Sequence, residues 1–378
     1  MSKLDDLIRE LCPDGVEFRK VGDIANISRG KVMSKDFLKE NAGEYPVYSS
    51  QTENEGKLGS ITTYMFDGEY LTWTTDGANA GTVFYRSGKF SVTNVCGVID
   101  NISEDVNKKY LYYVLNRVAP TYVNCGMGNP KLMSNVMARI SLPIPPLEIQ
   151  REIVRILDNF TELTAELTAE LTARKAQYSY YRDKLLQYET IIEELEIGEV
   201  CNLSAGGDVP KDRFSKEKTE RYKIPIISNG SGINALYGYT DIPKVVEPSV
   251  TVAARGTIGY AEYRDYPYFP IIRLITLIPK DIKRLNTKYL YYCLQGRKYK
   301  IPMSGIPQLT VPMLKKQKVS IPPLDVQNRI VNVLDNFEKI CSDLNIGLPA
   351  EIEARKKQYE YYRDKLLSFK EHEDGLSN

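Results

Sequence analysis

Apolar residues recur every three or four positions along one stretch of this chain, residues 144–194, IPPLEIQREIVRILDNFTELTAELTAELTARKAQYSYYRDKLLQYETIIEE. Ile149, Ile153, Ile156, Phe160, Leu163, Leu167, Leu171, Arg174, Tyr178, Tyr181, Leu185 and Tyr188 mark one face. That spacing predicts the seam of a long helix lying along a partner helix. Residues 161–173 read TELTAELTAELTA, with leucine every fourth position, and two successive steps of four relax a supercoil locally.

The pattern returns at residues 321–371, IPPLDVQNRIVNVLDNFEKICSDLNIGLPAEIEARKKQYEYYRDKLLSFKE, with Val326, Ile330, Val333, Phe337, Ile340, Leu344, Leu348, Ile352, Arg355, Tyr359, Tyr362, Leu366 and Phe369 on the seam. A repeat of this length fixes the architecture before any motif is weighed. Gly347 and Pro349 interrupt the second copy, and proline suits the first turn of a new helix better than an interior. One continuous helix is predicted in the first copy and two helical segments in the second. Each opens after a proline pair, Pro145-Pro146 or Pro322-Pro323. About 48 residues at ~1.5 Å each predict a rod of roughly 70 Å, and two copies in one chain predict an intramolecular antiparallel pair.

The segments between the helices repeat more faintly. VGDIANISRG at 21–30 aligns with IGEVCNLSAG at 197–206, KYLYYVL at 109–115 with KYLYYCL at 288–294, and GNPKL at 128–132 with GIPQL at 305–309. The fold class expected is α+β: two mixed α/β recognition domains in tandem, separated by two long helices that form an antiparallel coiled coil with pseudo-two-fold symmetry. Its segments are an N-terminal helical piece at 1–17, a first domain at 18–140, a central helix at 141–194, a second domain at 195–319 and a C-terminal helical region at 320–378. Runs rich in Val, Ile, Thr, Tyr and Phe predict strands at 61–66, 70–75, 82–86, 245–255 and 271–278. Helices are predicted at 107–116 and 287–295, their tyrosines packing inward.

Charge changes this picture. The chain's net +1 hides a partition: residues 195–319 carry 20 basic and 11 acidic side chains, net +9, and 18–140 carry net +2, while 141–194 and 320–378 are net −4 and −3. Basic domains are the electrostatic footprint of phosphate binding. No apolar run of 18 residues lacks a charge, residues 1–10 have no secretory pattern, and the 6 cysteines form no CxxC pair. A cytoplasmic protein without disulfides, zinc or membrane partner is expected.

Between strands sit loops that join glycine turns to polar tips. Glycine lets backbone approach a ligand, and Asn, Gln, Arg, Ser and Thr read base edges, although surface turns favour the same residues. The candidate DNA contacts are Ser49, Ser50, Gln51, Thr74, Thr75, Asp76, Gly77, Asn79 and Lys131 in the first domain. In the second they are Ser228, Asn229, Ser231, Asn234, Arg255, Gly256, Thr257 and Gln308. Asp76-Gly77 aligns with Arg255-Gly256, so one framework presents opposite chemistry at one point. The helix contacts expected are Ile149, Ile153, Ile156, Phe160, Leu163, Leu167, Leu171, Tyr181 and Leu185 against Ile330, Val333, Phe337, Leu344, Ile352, Tyr362 and Leu366.

Catalytic chemistry is not visible. There is no GxxxxGK[ST] loop, no dinucleotide fingerprint and no Asn/Asp-Pro-Pro-Tyr tetrapeptide, and the single histidine, His372, lies in a polar tail. The chain reads as something that binds and positions, with no catalytic or metal-ligating residue of its own.

The tandem order, IPPLEIQREIV-x-ILD-x-F after a variable domain, YYRDKLL closing the helix, and the opening LCPDGVEFRKVGDI at 11–24 together resemble the specificity subunit of type I restriction–modification enzymes, the IC branch in particular. The resemblance implies that each domain reads one half of a split, asymmetric sequence in double-stranded DNA. If both domains contact one face of the duplex, half-site centres are expected about one turn, ~34–36 Å, apart. The length of the rod is expected to fix the spacer, and the resemblance implies that the helices dock two methyltransferase subunits and that restriction (translocase) subunits join them. S-adenosylmethionine, ATP and Mg²⁺ would then belong to those partners and no cofactor to this chain. The rivals are a coiled-coil interaction scaffold that never meets DNA, and an enzyme with its own transferase or nuclease activity.

Overall fold

The computed structural model describes residues 3–126, 128–187, 193–301, 306–342 and 346–372. The chain divides into two compact units, Met1–Thr168 with Ile352–Asn378, and Ala169–Glu351. The long helix Leu147–Leu185 gives its first part to one unit and its last part to the other.

That helix begins directly after Pro145-Pro146 and runs unbroken for 39 residues, or ~58 Å. This is shorter than the 48 residues expected, because it ends at Leu185. Threonines inside it are accommodated by bonding back one turn: Thr161 to the Leu157 carbonyl at 3.0 Å and Thr164 to that of Phe160 at 2.8 Å. The second copy is two helices as expected, Leu324–Ser342 and Leu348–Leu366, the latter carrying Pro349 in its first turn. Leu344 and Tyr188 of the expected seam, and Gly305 of the shorter repeat, lie outside the described residues.

In the first unit six strands form one sheet in the order Asn26–Arg29, Cys96–Asp100, Phe66–Thr74, Val83–Val92, Ala42–Tyr48 and Lys57–Ile61. All pairings are antiparallel except that of Ala42–Tyr48 with Val83–Val92. The strand expected at 61–66 is not one strand: the chain turns between Lys57–Ile61 and Phe66–Thr74. Trp73 is fully buried, and a Cβ on Gly97 would lie 2.2 Å from its ring, so only glycine allows this cross-strand approach. Helix Lys108–Val118, capped by Asn107, packs Tyr110, Leu111 and Val114 into the same core. The chain end joins this unit, Val16 and Lys370 bonding backbone to backbone at 2.9 Å.

In the second unit the corresponding strands split into two sheets. Cys201–Ala205, Leu274–Pro279, Ser249–Ala253 and Ala261–Arg264 make four, and Leu236–Thr240, Ile224–Ile227 and Phe269–Pro270 make three. The strand expected across 245–255 is only Ser249–Ala253, since Pro248 just before it supplies no N–H for a ladder. Helix Thr287–Leu294 repeats the first unit's helix, with Asn286 as cap and Tyr289 and Tyr292 fully buried. The inward-packing tyrosines are as expected in both units.

The helix copies meet inside each unit. Phe160 stacks on Tyr362 with ring centroids 5.5 Å apart in the first unit. Its repeat equivalent Phe337 stacks on Tyr181 at 5.8 Å in the second, the copies exchanged. The pairing of the copies is as expected, but several residues expected on its seam lie elsewhere. Ile149 and Ile153 pack into the core of the first recognition domain and Ile330 into that of the second. Leu163 and Val333 are 44% and 43% exposed, and Leu167 and Leu171 only half-buried. Three of every four residues in the threonine–alanine–glutamate–leucine run are not leucine, so its apolar stripe is narrow and needs little cover. Ile156, Leu185 and Leu366 pack at the core margins, and Ile352 is buried.

Candidate nucleic-acid interface

In the first unit the strand Phe66–Thr74 runs into the loop 75–81 before the chain returns as Val83–Val92. Thr74 and Thr75 are fully buried and their hydroxyls are engaged, Thr74 with the Asn79 carbonyl and Thr75 with that of Val95 at 2.9 Å. Both were candidate DNA contacts, and the structure corrects this: they hold the loop and cannot reach a base. Gly77, at φ +94°, takes the left-handed turn that carries the chain past them.

Beyond that turn the loop meets the segment 124–132. The Leu132 N–H donates to the Thr75 carbonyl at 2.9 Å and the Gly77 N–H to that of Pro130 at 3.0 Å. Asp76 and Lys131 therefore face each other as a non-hydrogen-bonded pair, where side chains of antiparallel strands come closest. Buried Trp73 anchors the segment, donating to the Leu132 carbonyl at 3.0 Å. Exposed Asn79 donates to Thr52 Oγ1 at 3.0 Å, linking this loop to the segment 49–57. There Ser49 accepts from Thr93 and Gln51 donates to the Lys57 carbonyl, so both shape the loop, with Ser50 half-buried between them.

The second unit builds the same corner differently. After Ser249–Ala253 the chain turns through Gly256 and Gly259, and the Leu309 N–H donates to the Ala254 carbonyl at 2.8 Å. This is the equivalent of the Leu132–Thr75 bond, and it brings the segment of Gln308 and Leu309 alongside the loop that carries Arg255. Asn229 donates to the Arg255 carbonyl at 2.5 Å and accepts at its own carbonyl from Thr257 at 2.7 Å, drawing two loops together. Ser228 bonds the Ala235 carbonyl, and Ser231 and Asn234 close the turn between them. Asn234, Gly256, Thr257 and Gln308 are exposed and Arg255 half-buried.

Beneath each corner lies an arginine that sequence reasoning missed. Arg86 and Arg264 are 4% and 3% exposed and donate Nε to the repeat-equivalent hydroxyls of Thr72 and Thr251, at 3.3 and 3.1 Å. Arg264 pairs with Glu262 at 3.0 Å. Arg86 instead lies over the Tyr48 ring, 3.7 Å from its centroid, and donates to the Glu55 carbonyl, tying the segment 49–57 to the sheet. Burial pulls the Arg86 guanidinium below its ordinary pKa. Alternation along Leu-Thr-Trp-Thr and Val-Thr-Val-Ala could have flagged the two threonines, but nothing in the sequence marks the arginines as buried.

Residues 13–174 and 191–354 each match the type I restriction modification DNA specificity domain family. A putative type I specificity subunit of Mycoplasma pneumoniae is 42% identical over 359 residues, covering 94% of this chain and 98% of that protein. The chain belongs to the family of type I specificity subunits. A putative type I restriction enzyme specificity subunit of Haemophilus influenzae is 33% identical, over 94% of this chain and 96% of its own length. Among solved structures, a chain from work on assembly and conformational transition of the type I restriction–modification system superposes with a TM-score of 0.64 at 14% identity, over 94% of this chain and 98% of that one. The specificity subunit of M. genitalium superposes at 0.59 and 15% identity, over 93% of this chain and 96% of that one. These likenesses show the fold: two tandem specificity domains with a long central helix. As a specificity subunit the chain is a DNA-recognition subunit, and a scaffold that never meets DNA is not favoured. Among the described residues no helix is long and apolar enough to cross a membrane.

Proposed function

We propose that each unit reads one half of a bipartite, asymmetric sequence in double-stranded DNA. The observation that carries this is the corner built twice through one equivalent backbone bond, Leu132 to Thr75 and Leu309 to Ala254, with Asp76 facing Lys131 in one copy and Arg255 following Ala254 in the other. Asp accepts hydrogen bonds from base amino groups, whereas Arg donates two to a guanine, so the halves call for different bases. The net +9 of residues 195–319 supplies the phosphate attraction such reading needs. The number of helix residues between the two recognition domains sets the unread gap.

The chain itself contributes no bond-making step in this reading. Two methyltransferase subunits carrying S-adenosylmethionine dock on the helix copies, where repeat-equivalent Tyr180 and Tyr361 are 60% and 64% exposed. Restriction subunits using ATP and Mg²⁺ join them, all in the cytoplasm. The test is DNA retention by the chain with and without its methyltransferase partners, from ~50 to ~200 mM salt. Retention of a preferred sequence that outlasts non-specific binding supports the reading. Transferase or nuclease activity of the purified chain alone would overturn it.

A further inference from the structure

Both units share one device in their interiors that the reading loops do not disclose. Gln150, in the first turn of the long helix, is fully buried and its amide is fully used. Its Oε1 accepts from the Asn107 N–H at 2.7 Å, and its Nε2 donates to the carbonyls of Asp105 at 2.9 Å and Pro145 at 2.7 Å. Gln327, also fully buried, repeats this with the Asn286 N–H at 2.8 Å and the carbonyls of Arg284 at 2.9 Å and Pro322 at 2.8 Å.

Two turns further along, Asp158 accepts from Lys109 and from the Tyr113 hydroxyl, both at 2.7 Å. Asp335 accepts from Lys288 at 2.7 Å and from the Tyr292 hydroxyl. Just before the proline pair, Tyr110 donates to the Pro143 carbonyl at 3.0 Å and Tyr289 to that of Ser320 at 2.9 Å. In the first unit the Lys108–Val118 helix that donates these bonds shares its core with Leu71 and Trp73, on the strand that ends in the reading loop. A path of continuous packing therefore runs from the long helix to the base-reading corner, and the second unit repeats it through Val250 and Val252.

We propose that Gln150 and Gln327, with Asp158 and Asp335, are positioning residues for DNA recognition. Each pair fixes the height and rotation of its recognition domain on its helix, and so lets the chain distinguish targets that differ only in the length of the unread gap. Apolar packing alone tolerates small slides, because one methyl group substitutes for another. A buried amide that must satisfy three partners permits one register, the best-attested use of buried polar groups.

The inference rests on the bipartite reading, and the test separates the two. The full complex with its methyltransferase subunits is given duplexes carrying the mapped half-sites at the native gap and at one base pair more and less. A wild-type complex indifferent to the gap sinks the bipartite reading itself. With wild-type discrimination in hand, Gln150→Ala and Gln327→Ala are expected to lower the native-gap preference by about tenfold, leaving the half-site bases unchanged. Loss of folded protein would reduce all three rates together and leave their ratio alone. Asp158→Asn and Asp335→Asn, at side chains 35% and 24% exposed, supply milder variants with about a threefold drop expected should the glutamine variants fail to fold. An unchanged ratio in whichever variants fold, or a change in the bases read instead, would overturn the proposal.

Discussion

The first recognition domain carries Val83–Val92 through one six-stranded sheet, whereas the second breaks the equivalent stretch into Ala261–Arg264 and Phe269–Pro270 and divides its strands between two sheets. Pro267 accounts for the break, having no N–H to give a ladder. Against this divergence the helix side of each domain is nearly unchanged. Asn107 and Asn286 cap the same helix through the same two N–H groups, and Tyr110 and Tyr289 bond the same carbonyl. Between the two domains, variation is thus concentrated in the sheet and the corner proposed to read DNA, while the attachment to the helix is held constant. A protein built this way can change what it reads without changing where it reads.

The largest effect expected comes from breaking the attachment's length. Deleting the four residues 164–167 removes ~6 Å of helix and ~40° of rotation, and should cut methylation of the native target at least ~100-fold. Activity should return on DNA with the same half-sites and a different gap, as methylated-adenine mapping would reveal; altered half-sites at the old gap would refute it. Next comes the contrast between corners. Arg255→Ala should cost ~1–3 kcal/mol at the second half-site alone. Equal losses on unrelated DNA would place Arg255 on phosphate instead. Asp76→Ala should relax only the first half-site, so a competition assay with base substitutions in each half tells the corners apart.

Below these lies the buried arginine. Arg86→Met leaves the Glu55 carbonyl and Thr72 hydroxyl without their donor and should lower stability by ~1–3 kcal/mol in urea unfolding. It should also loosen the segment 49–57 to hydrogen exchange, whereas Arg264→Met should leave its counterpart 228–236 protected. The smallest effect concerns Glu152, only 5% exposed, whose carboxyl the Arg155 hydrogen bond and then Lys3 hold down at about 2. A depressed carboxylate stabilises the fold above the ordinary glutamate value of ~4.3 and loses that contribution as pH falls toward its folded value. Both cations are largely exposed, so Glu152→Gln should cost only ~1 kcal/mol at neutral pH and nothing near pH 2.

What could be read from the chain alone follows the length over which a pattern repeats. The helix copies, the break at Gly347 and Pro349, and the tyrosine helices were legible because each signal is spread over many positions. The burial of Thr74 and Thr75 was not, since the residues that suit a base-reading tip also suit the end of a buried strand. Treating Ile149 and Ile153 as coiled-coil seam failed for a related reason: helical periodicity shows that a face is covered, not by what. The glutamine clamp was within reach, because Pro-Pro-Leu-Glu-Ile-Gln150 and Pro-Pro-Leu-Asp-Val-Gln327 keep glutamine at one place in both copies. A single polar residue inside an apolar stripe gives no period, so it passes unseen unless the copies are compared.

The most direct test is to select DNA from a random pool with the chain and the two methyltransferase subunits proposed to dock on it, and to sequence what is retained. Two unlike short motifs on one duplex at a single fixed separation are predicted, with Arg255→Ala erasing bases in one motif only. Retention without any shared sequence, or two identical motifs whose separation varies freely, would contradict the account.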